Sequence, residues 1–369
     1  MTWGNGHVKR AVPPDRQIDS PPAARSAAAR RALVKALVIH GPGQYSVEPE
    51  WPVPAVRPGW ALLRVRFAGI CGSDLVRFGR TGSYRHPMVL GHEFAGTVEE
   101  PSPGSARFAR GDAAAALPLI PCGSCEGCLS GEPFHCSSYQ FLGSRNDGGF
   151  AHYCLVPEDN LLALPPGTDL RTGAFMEPIA VGLHVVRRSG FSPGSTALVF
   201  GAGSIGLLVG LWLRYMGAPR VVFCDLRADS LAMAKRLGFS EAVLPDSAAF
   251  ATLPRFDSVF EAAGSGNALR AGIDKTRDLG SLTVVGRDPA ETRIPHDSFE
   301  KLMRREIAVK GCWGYNMKGE EQTVLGALNG GALPVSAMVT QETSLEDAPR
   351  LIRAMIEGSL YYCKAMIAL

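Results

Sequence analysis

The stretch TALVFGAGSIGLLVGLWL (196–213) decides the fold of the second half of the chain. An apolar strand runs into GAGSIG (201–206), which has the form G-x-G-x-x-G, and an apolar helix follows it. A second apolar strand, VVFCD (221–225), ends in Asp225, nineteen residues past Gly206. A strand, this glycine pattern, a helix and then an acidic residue at that distance together indicate a dinucleotide-binding unit.

Each glycine of the motif has a separate physical role. We expect Gly201 to make the tight turn, Gly203 to let the backbone approach a pyrophosphate, and Gly206 to let the helix pack closely on the strand. Phosphates bound there would lie at a helix N-terminus, where free N–H groups and the helix dipole favour anions. The alternative is a glycine-rich turn that binds no ligand.

The rest of this half continues the alternation of strands and helices. ADSLAMAKRLG (228–238) has the pattern of a helix, and residues 320–331 also look helical. The later strand candidates are SVF (258–260), SLTVVG (281–286), IAVKGCW (307–313) and the terminal KAMIAL (364–369). Regular alternation of this kind predicts an α/β fold with a doubly wound parallel sheet.

The first half is instead rich in strand patterns. Apolar or alternating runs separated by Pro and Gly occur at VKALVIHG (34–41), WALLRVRFAGI (60–70), MVLGHEFAGTVEE (88–100) and FAHYCLVP (150–157). Residues 121–149 are dense in Cys, Gly, Ser and Asn and predict a loop. The chain therefore divides into a β-rich front and an α/β back.

Composition excludes several classes of protein. The 369 residues are 46% hydrophobic and 20% charged, which suits a globular chain of two domains. The net charge is +3, and residues 1–33 alone carry +4, so no basic face for nucleic acid remains. That Ala-, Pro- and Arg-rich segment predicts a dispensable, disordered tail.

No membrane or secretory segment is expected. Residues 189–213 carry no charge, but Pro193 and six glycines argue against a spanning helix. The N-terminus has no apolar core typical of a secretory signal. Nine cysteines, five of them between Cys71 and Cys136, suit a metal-binding protein of a reducing compartment, so we expect the cytoplasm.

Four cysteines form a C-x2-C-x2-C-x7-C pattern: Cys122, Cys125, Cys128 and Cys136. Four thiolates this close in sequence can surround one zinc ion tetrahedrally and leave no open position, which is the character of a structural site. An iron–sulfur site and four unrelated loop cysteines are the alternatives.

A second metal site is suggested by residues that are weak signals separately. Cys71 lies in GICGSD, and His92 and Glu93 lie in GHE. Together they offer a thiolate, an imidazole and a carboxylate, a mixture suited to a zinc ion that keeps a position for substrate. Glu177 precedes Pro and an apolar helix, where a charge is costly to bury unless it is paired or coordinating.

These motifs in this order, from Val34 to Leu369, resemble the zinc-dependent medium-chain dehydrogenase/reductase family. Within it they are similar to the polyol branch, which includes sorbitol and galactitol-1-phosphate dehydrogenases. The resemblance is carried by CGSD (71–74), PMVLGHE (87–93), PLIPCGSCEGCLSGEPFHC (118–136), FLGSRNDGGFAHY (141–153), EPIAVGLH (177–184) and RREIAVKGCW (304–313). It implies a GroES-like catalytic domain (34–181, joined by 320–369) and a Rossmann domain (182–319).

The resemblance also implies the roles of individual residues. Cys71, His92, Glu93 and Glu177 match the catalytic zinc set, and either glutamate can exchange with water. The four-cysteine cluster matches the structural zinc, so two zinc ions are expected per chain. Ser73 matches the hydroxyl that relays the proton of a secondary alcohol while a hydride passes to the nicotinamide.

The expected cofactor is NAD, with a homodimer or homotetramer as the assembly. Asp225 would accept hydrogen bonds from the ribose and repel a 2′-phosphate, although Arg227 could accommodate one. The residues expected to contact the cofactor are Gly201, Gly203, Ser204, Ile205, Gly206, Asp225, Arg227, Val285 and Gly286.

The substrate is expected to be a polyol, a cyclitol or a sugar phosphate. Arg77 and Arg145 could hold a phosphate, and Trp313 and Tyr315 could pack on a sugar ring or belong to the core. The chain departs from sorbitol dehydrogenases at Val76 and Arg77, which replace a His and a Tyr. It departs from the galactitol-phosphate enzymes at GYNMKGEE (314–321), so the pocket wall there is not inherited.

Other functions fit parts of this pattern. The chain could be another zinc alcohol dehydrogenase, with an aminocyclitol or threonine-type substrate. From a different class, it could be a zinc-independent reductase or an inactive nucleotide-binding relative. Such relatives typically lack the Cys, His and Glu set, whereas every position is filled here.

Overall fold

A computed structural model describes residues 32–287, 291–317 and 319–369. Its strands are β1 Leu33–Gly41, β2 Gln44–Pro52, β3 Trp60–Ile70, β4 Met88–Val89, β5 Glu93–Glu100, β6 Ala113–Ala116, β7 Leu119–Ile120, β8 Gln140–Phe141, β9 Tyr153–Pro157, β10 Leu161–Ala163, β11 Ala197–Phe200, β12 Val221–Cys224, β13 Ala242–Val243, β14 Phe256–Glu261, β15 Thr276–Val284, β16 Ala308–Gly311, β17 Val339–Ser344 and β18 Lys364–Ala368. Its α-helices are α1 Gly72–Val76, α2 Glu126–Leu129, α3 Leu170–Gly173, α4 Met176–Ser189, α5 Ser204–Tyr215, α6 Ala228–Arg236, α7 Ala248–Ala251, α8 Gly266–Lys275, α9 His296–Arg304, α10 Glu321–Asn329 and α11 Ala348–Ile356. The tail predicted at residues 1–33 lies, up to residue 31, outside the described residues.

The back half forms the predicted parallel sheet. Its strand order is β13-β12-β11-β14-β15-β16, and every neighbouring pair in it is parallel. The chain starts this sheet in the middle, builds outward to one edge and then crosses to the other side. The change of direction lies between β11 and β14, where the carboxyl ends of neighbouring strands open a crevice for a ligand.

The front half forms mostly antiparallel sheets. The larger one has the order β10-β6-β5-β3-β18-β17, with β9 also paired to β3. Strands β17 and β18 come from the C-terminal end of the chain, so the chain returns to its first half after leaving the parallel sheet. A smaller sheet has the order β2-β1-β4, and β7 pairs with β8.

The helix after the front half packs on the glycine-motif helix. Trp212 of α5 is fully buried, and its indole N–H donates to the carbonyl oxygen of Ile179 in α4 at 3.0 Å. Both helices belong to one apolar cluster that continues into both halves of the chain. Truncating a buried tryptophan of this kind costs about 3–5 kcal/mol, so this contact contributes strongly to the stability of the pair.

The α/β class expected from the sequence is confirmed. The uncharged segment 189–213 divides into the end of α4, strand β11, the glycine turn and most of α5. Within the described part of the chain, helices are too short or too polar to cross a membrane.

Candidate active site

Thiol, imidazole and carboxylate groups meet at the end of one strand pair. Cys71 directly follows β3, and Glu93 opens β5 directly after His92. Because β3 and β5 pair antiparallel with Gly69 opposite Glu93, the two strand ends lie side by side. Ligand atoms of Cys71, His92 and Glu93 all lie within 4.8 Å of one another. Their chemistry fits a zinc ion.

A buried lysine that the sequence reasoning missed neutralises Glu93. Nζ of Lys364 donates to both carboxylate oxygens, at 2.8 and 2.7 Å, and the two side chains are 4% and 2% exposed. Burial alone would lower the pKa of Lys364, but the charges of Glu93 and Cys71 outweigh it and raise that pKa. A metal bound at this cluster would share Glu93 with Lys364.

A buried aspartate, also missed from the sequence, lies against the other two groups. Asp74 Oδ1 lies 3.3 Å from His92 Nδ1, and Asp74 Oδ2 accepts a hydrogen bond from the backbone N–H of Cys71 at 3.0 Å. Burial alone would lower the pKa of His92, but the charges of Asp74 and Cys71 raise it well above its ordinary value. A carboxylate behind an imidazole is the arrangement that commonly orients metal-binding histidines.

Glu177 and Ser73 border this cluster without belonging to it. Glu177 lies in the first turn of α4 and is buried, but it is outside the three-residue ligand group. Burial raises its pKa to about 7, although His92 acts in the opposite direction. Ser73 is half-buried in α1, and its carbonyl oxygen accepts a hydrogen bond from Nη1 of Arg77 at 3.1 Å. Arg77 is thus bound to the chain's own backbone.

The four cysteines lie together in a lobe built on β7, α2 and β8. Cys128 Sγ lies 3.5 Å from Cys125 Sγ and 3.9 Å from Cys122 Sγ. A tetrahedron with zinc–sulfur bonds of about 2.3 Å has edges of about 3.8 Å, so these separations fit zinc. Hydrogen bonds from Ser124, the backbone N–H first, lower the pKa of Cys122 to about 5 and favour the thiolate that a metal needs.

The cysteine lobe packs on the segment that follows the last strand of the parallel sheet. Asn316 Nδ2 donates to the carbonyl oxygen of Gly131 at 2.7 Å, and the rings of Phe134 and Tyr315 meet edge to face at 4.9 Å. Tyr315 is 4% exposed, and its hydroxyl accepts from the Leu119 N–H at 3.1 Å. Trp313, by contrast, is 55% exposed. Tyr315 therefore lies in the core beside the lobe.

The glycine motif has the geometry that its spacing predicts. Gly201 has a φ of +93°, which favours glycine at the turn after β11. A Cβ on Gly206 would lie 1.8 Å from the Gly201 carbonyl oxygen, whereas a Cβ on Gly203 would meet nothing within 4 Å. The first contact explains the close packing of α5 on the strand, and the open side of Gly203 fits a phosphate approaching the backbone.

Asp225 is fixed at the end of β12. Its Oδ2 accepts from the Ala202 N–H at 2.7 Å, and its Oδ1 accepts from the Arg227 N–H at 2.8 Å. The guanidinium of Arg227 is exposed and lies 5.4 Å from the ring centroid of Tyr361. The carboxylate therefore faces the same crevice as the glycine turn.

The other expected cofactor residues lie near the same edge of the sheet. Val285 and Gly286 follow β15 and donate their backbone N–H groups to the Glu261 carbonyl oxygen, at 2.8 and 2.9 Å. Ser204 Oγ donates to the Cys363 carbonyl oxygen at 2.6 Å, and Ile205 is half-buried next to it.

Comparison with known proteins agrees with this arrangement. Residues 57–166 match the alcohol dehydrogenase GroES-like domain, and residues 204–330 match the zinc-binding dehydrogenase domain. Galactitol 1-phosphate 5-dehydrogenase of Escherichia coli (strain K12) is 32% identical over 309 residues, which cover 81% of this chain and 89% of that protein. D-xylulose reductase A of Aspergillus niger is 31% identical over 324 residues, which cover 83% of this chain and 89% of that protein.

Solved structures give the same result. The crystal structure of galactitol-1-phosphate dehydrogenase from Escherichia coli superposes with a TM-score of 0.85 at 29% identity, covering 91% of this chain and 100% of that one. The crystal structure of a zinc-binding dehydrogenase from Sinorhizobium meliloti 1021 bound to NADP superposes with a TM-score of 0.84 at 27% identity. The match covers 92% of this chain and 100% of that one.

A GroES-like domain joined to a zinc-binding dehydrogenase domain defines an oxidoreductase. The chain belongs to the zinc-dependent alcohol dehydrogenase family, whose members described above include polyol and sugar dehydrogenases. The resemblance stated from the sequence motifs is confirmed.

Proposed function

We propose that this chain oxidises a secondary alcohol of a polyol, cyclitol or sugar phosphate, with NAD as the hydride acceptor. One observation carries the proposal: the glycine turn and the metal-ligand cluster converge on two consecutive residues. Ser204 of the glycine motif contacts the Cys363 carbonyl oxygen, and the next residue, Lys364, contacts Glu93. Hydride transfer requires that the substrate and the cofactor lie side by side, and these contacts make their two proposed sites adjacent. A cleft between two subdomains is the usual position for such a site.

The donor groups support two zinc sites per chain. Cys71 and His92, completed by Glu93 or Glu177, would hold the catalytic ion, and Cys122, Cys125, Cys128 and Cys136 would hold the structural one. When bound, zinc would polarise the substrate hydroxyl, and the nicotinamide would accept the hydride.

Residues of the chain itself would transfer the proton and balance the charge during this reaction. Ser73, at the start of α1, carries the hydroxyl that passes the alcohol proton outward. Asp74, whose Oδ1 lies 3.3 Å from Nδ1, would favour one orientation of the His92 ring when the metal is bound. Lys364 neutralises Glu93, so the buried cluster carries less net negative charge.

The position of Asp225 supports NAD rather than NADP. Backbone N–H groups fix both of its oxygens, so the carboxylate cannot turn away from an incoming 2′-phosphate. Like charges brought together at this position disfavour binding of NADP, whereas ribose hydroxyls can donate to the remaining lone pairs.

The sheets support two domains with the predicted boundaries. A catalytic domain would comprise 34–181 and 320–369, since β17 and β18 belong to the sheet of β3. A Rossmann domain would comprise 182–319, which contains every strand of the parallel sheet.

An exposed sheet edge supports the proposed homodimer or homotetramer. Strand β16 is the edge of the parallel sheet, and Val309 on it and Phe299 and Met303 on α9 are each about half exposed. Unpaired strand edges flanked by apolar side chains favour association. The nine cysteines form no disulfide with one another, which supports a reducing cytoplasmic compartment.

A substrate panel tests the proposed reaction. Free and phosphorylated polyols and cyclitols are mixed with zinc-loaded enzyme and NAD, and NADH absorbance is followed. Turnover of at least one member is expected in the wild type and in Cys312→Ser, a control cysteine outside both clusters. Cys71→Ser and His92→Ala should keep the circular dichroism spectrum and lose turnover. Retained turnover in these two variants would overturn the assignment.

A further inference from the structure

Arg145 is held in place by aromatic side chains. Its guanidinium carbon lies 4.3 Å from the ring centroid of Tyr84 and 4.5 Å from that of Tyr139. Two rings at cation–π distance restrict the orientation of the guanidinium plane. The N–H groups at the edge of that plane are then left for hydrogen bonding in fixed directions.

Those edge groups are not used by the described part of the chain. Arg145 Nε is buried, and within residues 32–287, 291–317 and 319–369 it has no hydrogen-bond partner and no carboxylate pairs with Arg145. The carboxylate closest in sequence, Asp147, is occupied: it accepts from Arg85 Nη2 at 2.8 Å and from the Val89 N–H at 3.0 Å. A buried donor without an acceptor is costly, and the two Nη groups beside Nε also have no acceptor among the described residues. An oxyanion that reached these Nη groups would therefore be stabilised.

The loop that carries Arg145 packs directly on the residue before His92. The Gly149 N–H donates to the Gly91 carbonyl oxygen at 2.9 Å, and a Cβ on Gly148 would lie 2.1 Å from that oxygen. The close approach therefore requires glycine at position 148.

An aromatic wall makes a second connection to the metal-ligand cluster. The ring centroids of Tyr139 and Phe141 are 6.5 Å apart, and those of Phe141 and His92 are 5.8 Å apart. Arg145 is thus linked to His92 through its loop and through three aromatic contacts.

We propose that Arg145 is the specificity-determining residue that binds an oxyanion of the substrate, a phosphate monoester or a carboxylate at the end of the carbon chain. The inference rests on the proposed function, because it assumes that a polyol reacts at the Cys71 cluster. A fixed guanidinium edge matches two oxygens of such a group at once. Arg77 is less suited to this role, because its Nη1 already donates to the Ser73 carbonyl oxygen.

The experiment compares charged and neutral substrates within each variant. Galactitol, galactitol 1-phosphate and galactonate are assayed with wild type, Arg145→Gln, Arg145→Lys and the control Arg80→Gln. Arg80 is exposed in the turn Arg77–Thr81, so its replacement removes the same charge from a solvent-exposed position. Binding of each compound is also measured by calorimetry without NAD, which separates oxyanion recognition from catalysis.

In the wild type and Arg80→Gln, we expect one of the two charged compounds to bind at least tenfold more tightly than galactitol. Arg145→Gln should reduce the ratio of the affinity for the charged compound to that for galactitol by about 10- to 100-fold, the usual effect of losing a hydrogen-bonded charge pair. The corresponding ratio of kcat/KM values should fall by the same factor. Arg145→Lys should recover part of it. Because the ratio is taken within one variant, a loss of folded protein cancels.

Which charged compound is preferred identifies the group as a phosphate or a carboxylate. The inference is overturned if the ratio is the same in Arg145→Gln and Arg80→Gln, or if neither charged compound is preferred. Absence of turnover with a normal binding ratio would instead count against the proposed function alone.

Discussion

Replacing Lys364 with Met should leave the Glu93 carboxylate buried without its counter-ion. Both carboxylate oxygens accept from Nζ at 2.8 Å or less, and neither side chain is more than 4% exposed. Removing one partner of a buried pair generally costs about 3–5 kcal/mol, because the remaining charge is no longer solvated or paired. We therefore expect Lys364→Met to lower the free energy of unfolding by about that amount, measured by urea denaturation with circular dichroism without added zinc.

The double variant Lys364→Met with Glu93→Gln is the matched control. It removes both charges at similar volume, and such replacements are often close to neutral. The double variant should therefore be more stable than Lys364→Met alone. If the single variant loses less than about 1 kcal/mol, or the double variant is the less stable of the two, the pair does not act as described.

Four further outcomes follow from the same structure. Purified protein should contain two zinc ions per chain, and Cys122→Ser should contain one. The variant should also melt at a lower temperature, because a structural zinc contributes to folding. An unchanged zinc content in Cys122→Ser would contradict a zinc site in the four-cysteine lobe. The ratio kcat/KM should be higher with NAD than with NADP and the difference should shrink in Asp225→Ala, whereas equal values in the wild type would refute the role of Asp225. Asp257 accepts hydrogen bonds from the Thr196 N–H and hydroxyl at 2.7 and 2.6 Å, and these bonds outweigh the effect of burial and lower the pKa of Asp257. Asp257→Asn should therefore cost about 1–3 kcal/mol of unfolding free energy at pH 7. Because a carboxyl group with a lowered pKa stabilises the fold only while it is ionised, this cost should shrink as the pH falls below about 4, and a constant cost at all pH values would contradict the assignment. A chain starting at Val34 should keep its melting temperature and activity, and loss of either would show that the preceding residues contribute.

The sequence pattern predicted those strands whose formation depends only on neighbouring residues. The apolar run WALLRVRFAGI coincides with β3, Trp60–Ile70, because alternation and flanking Gly and Pro determine a strand without long-range information. The β character expected for MVLGHEFAGTVEE is present, and the structure divides this stretch into β4 and β5. Gly91, with a φ of +90°, interrupts the strand and sets the direction in which His92 leaves it.

Contacts across long sequence distances could not be predicted in the same way. Lys364 and Glu93 are 271 positions apart, and they meet because β18 and β5 both pair with β3. A lysine opening an otherwise apolar terminal strand, KAMIAL, was the available signal, since a buried amine needs a partner. Asp74 lay inside the quoted motif CGSD, but its role depends on the distance to His92, which no spacing reveals.

Transfer of deuterium from substrate to cofactor is the most direct test of the central claim, that a hydride passes from a secondary carbinol carbon to NAD at the Cys71 cluster. The best polyol of the substrate panel is deuterated at that carbon and incubated with zinc-loaded enzyme and NAD, and the reduced cofactor is analysed by mass spectrometry. The account predicts one deuterium per reduced cofactor in the wild type and no reduced cofactor in His92→Ala. Reduced cofactor without deuterium, or deuterated cofactor from His92→Ala, would contradict it.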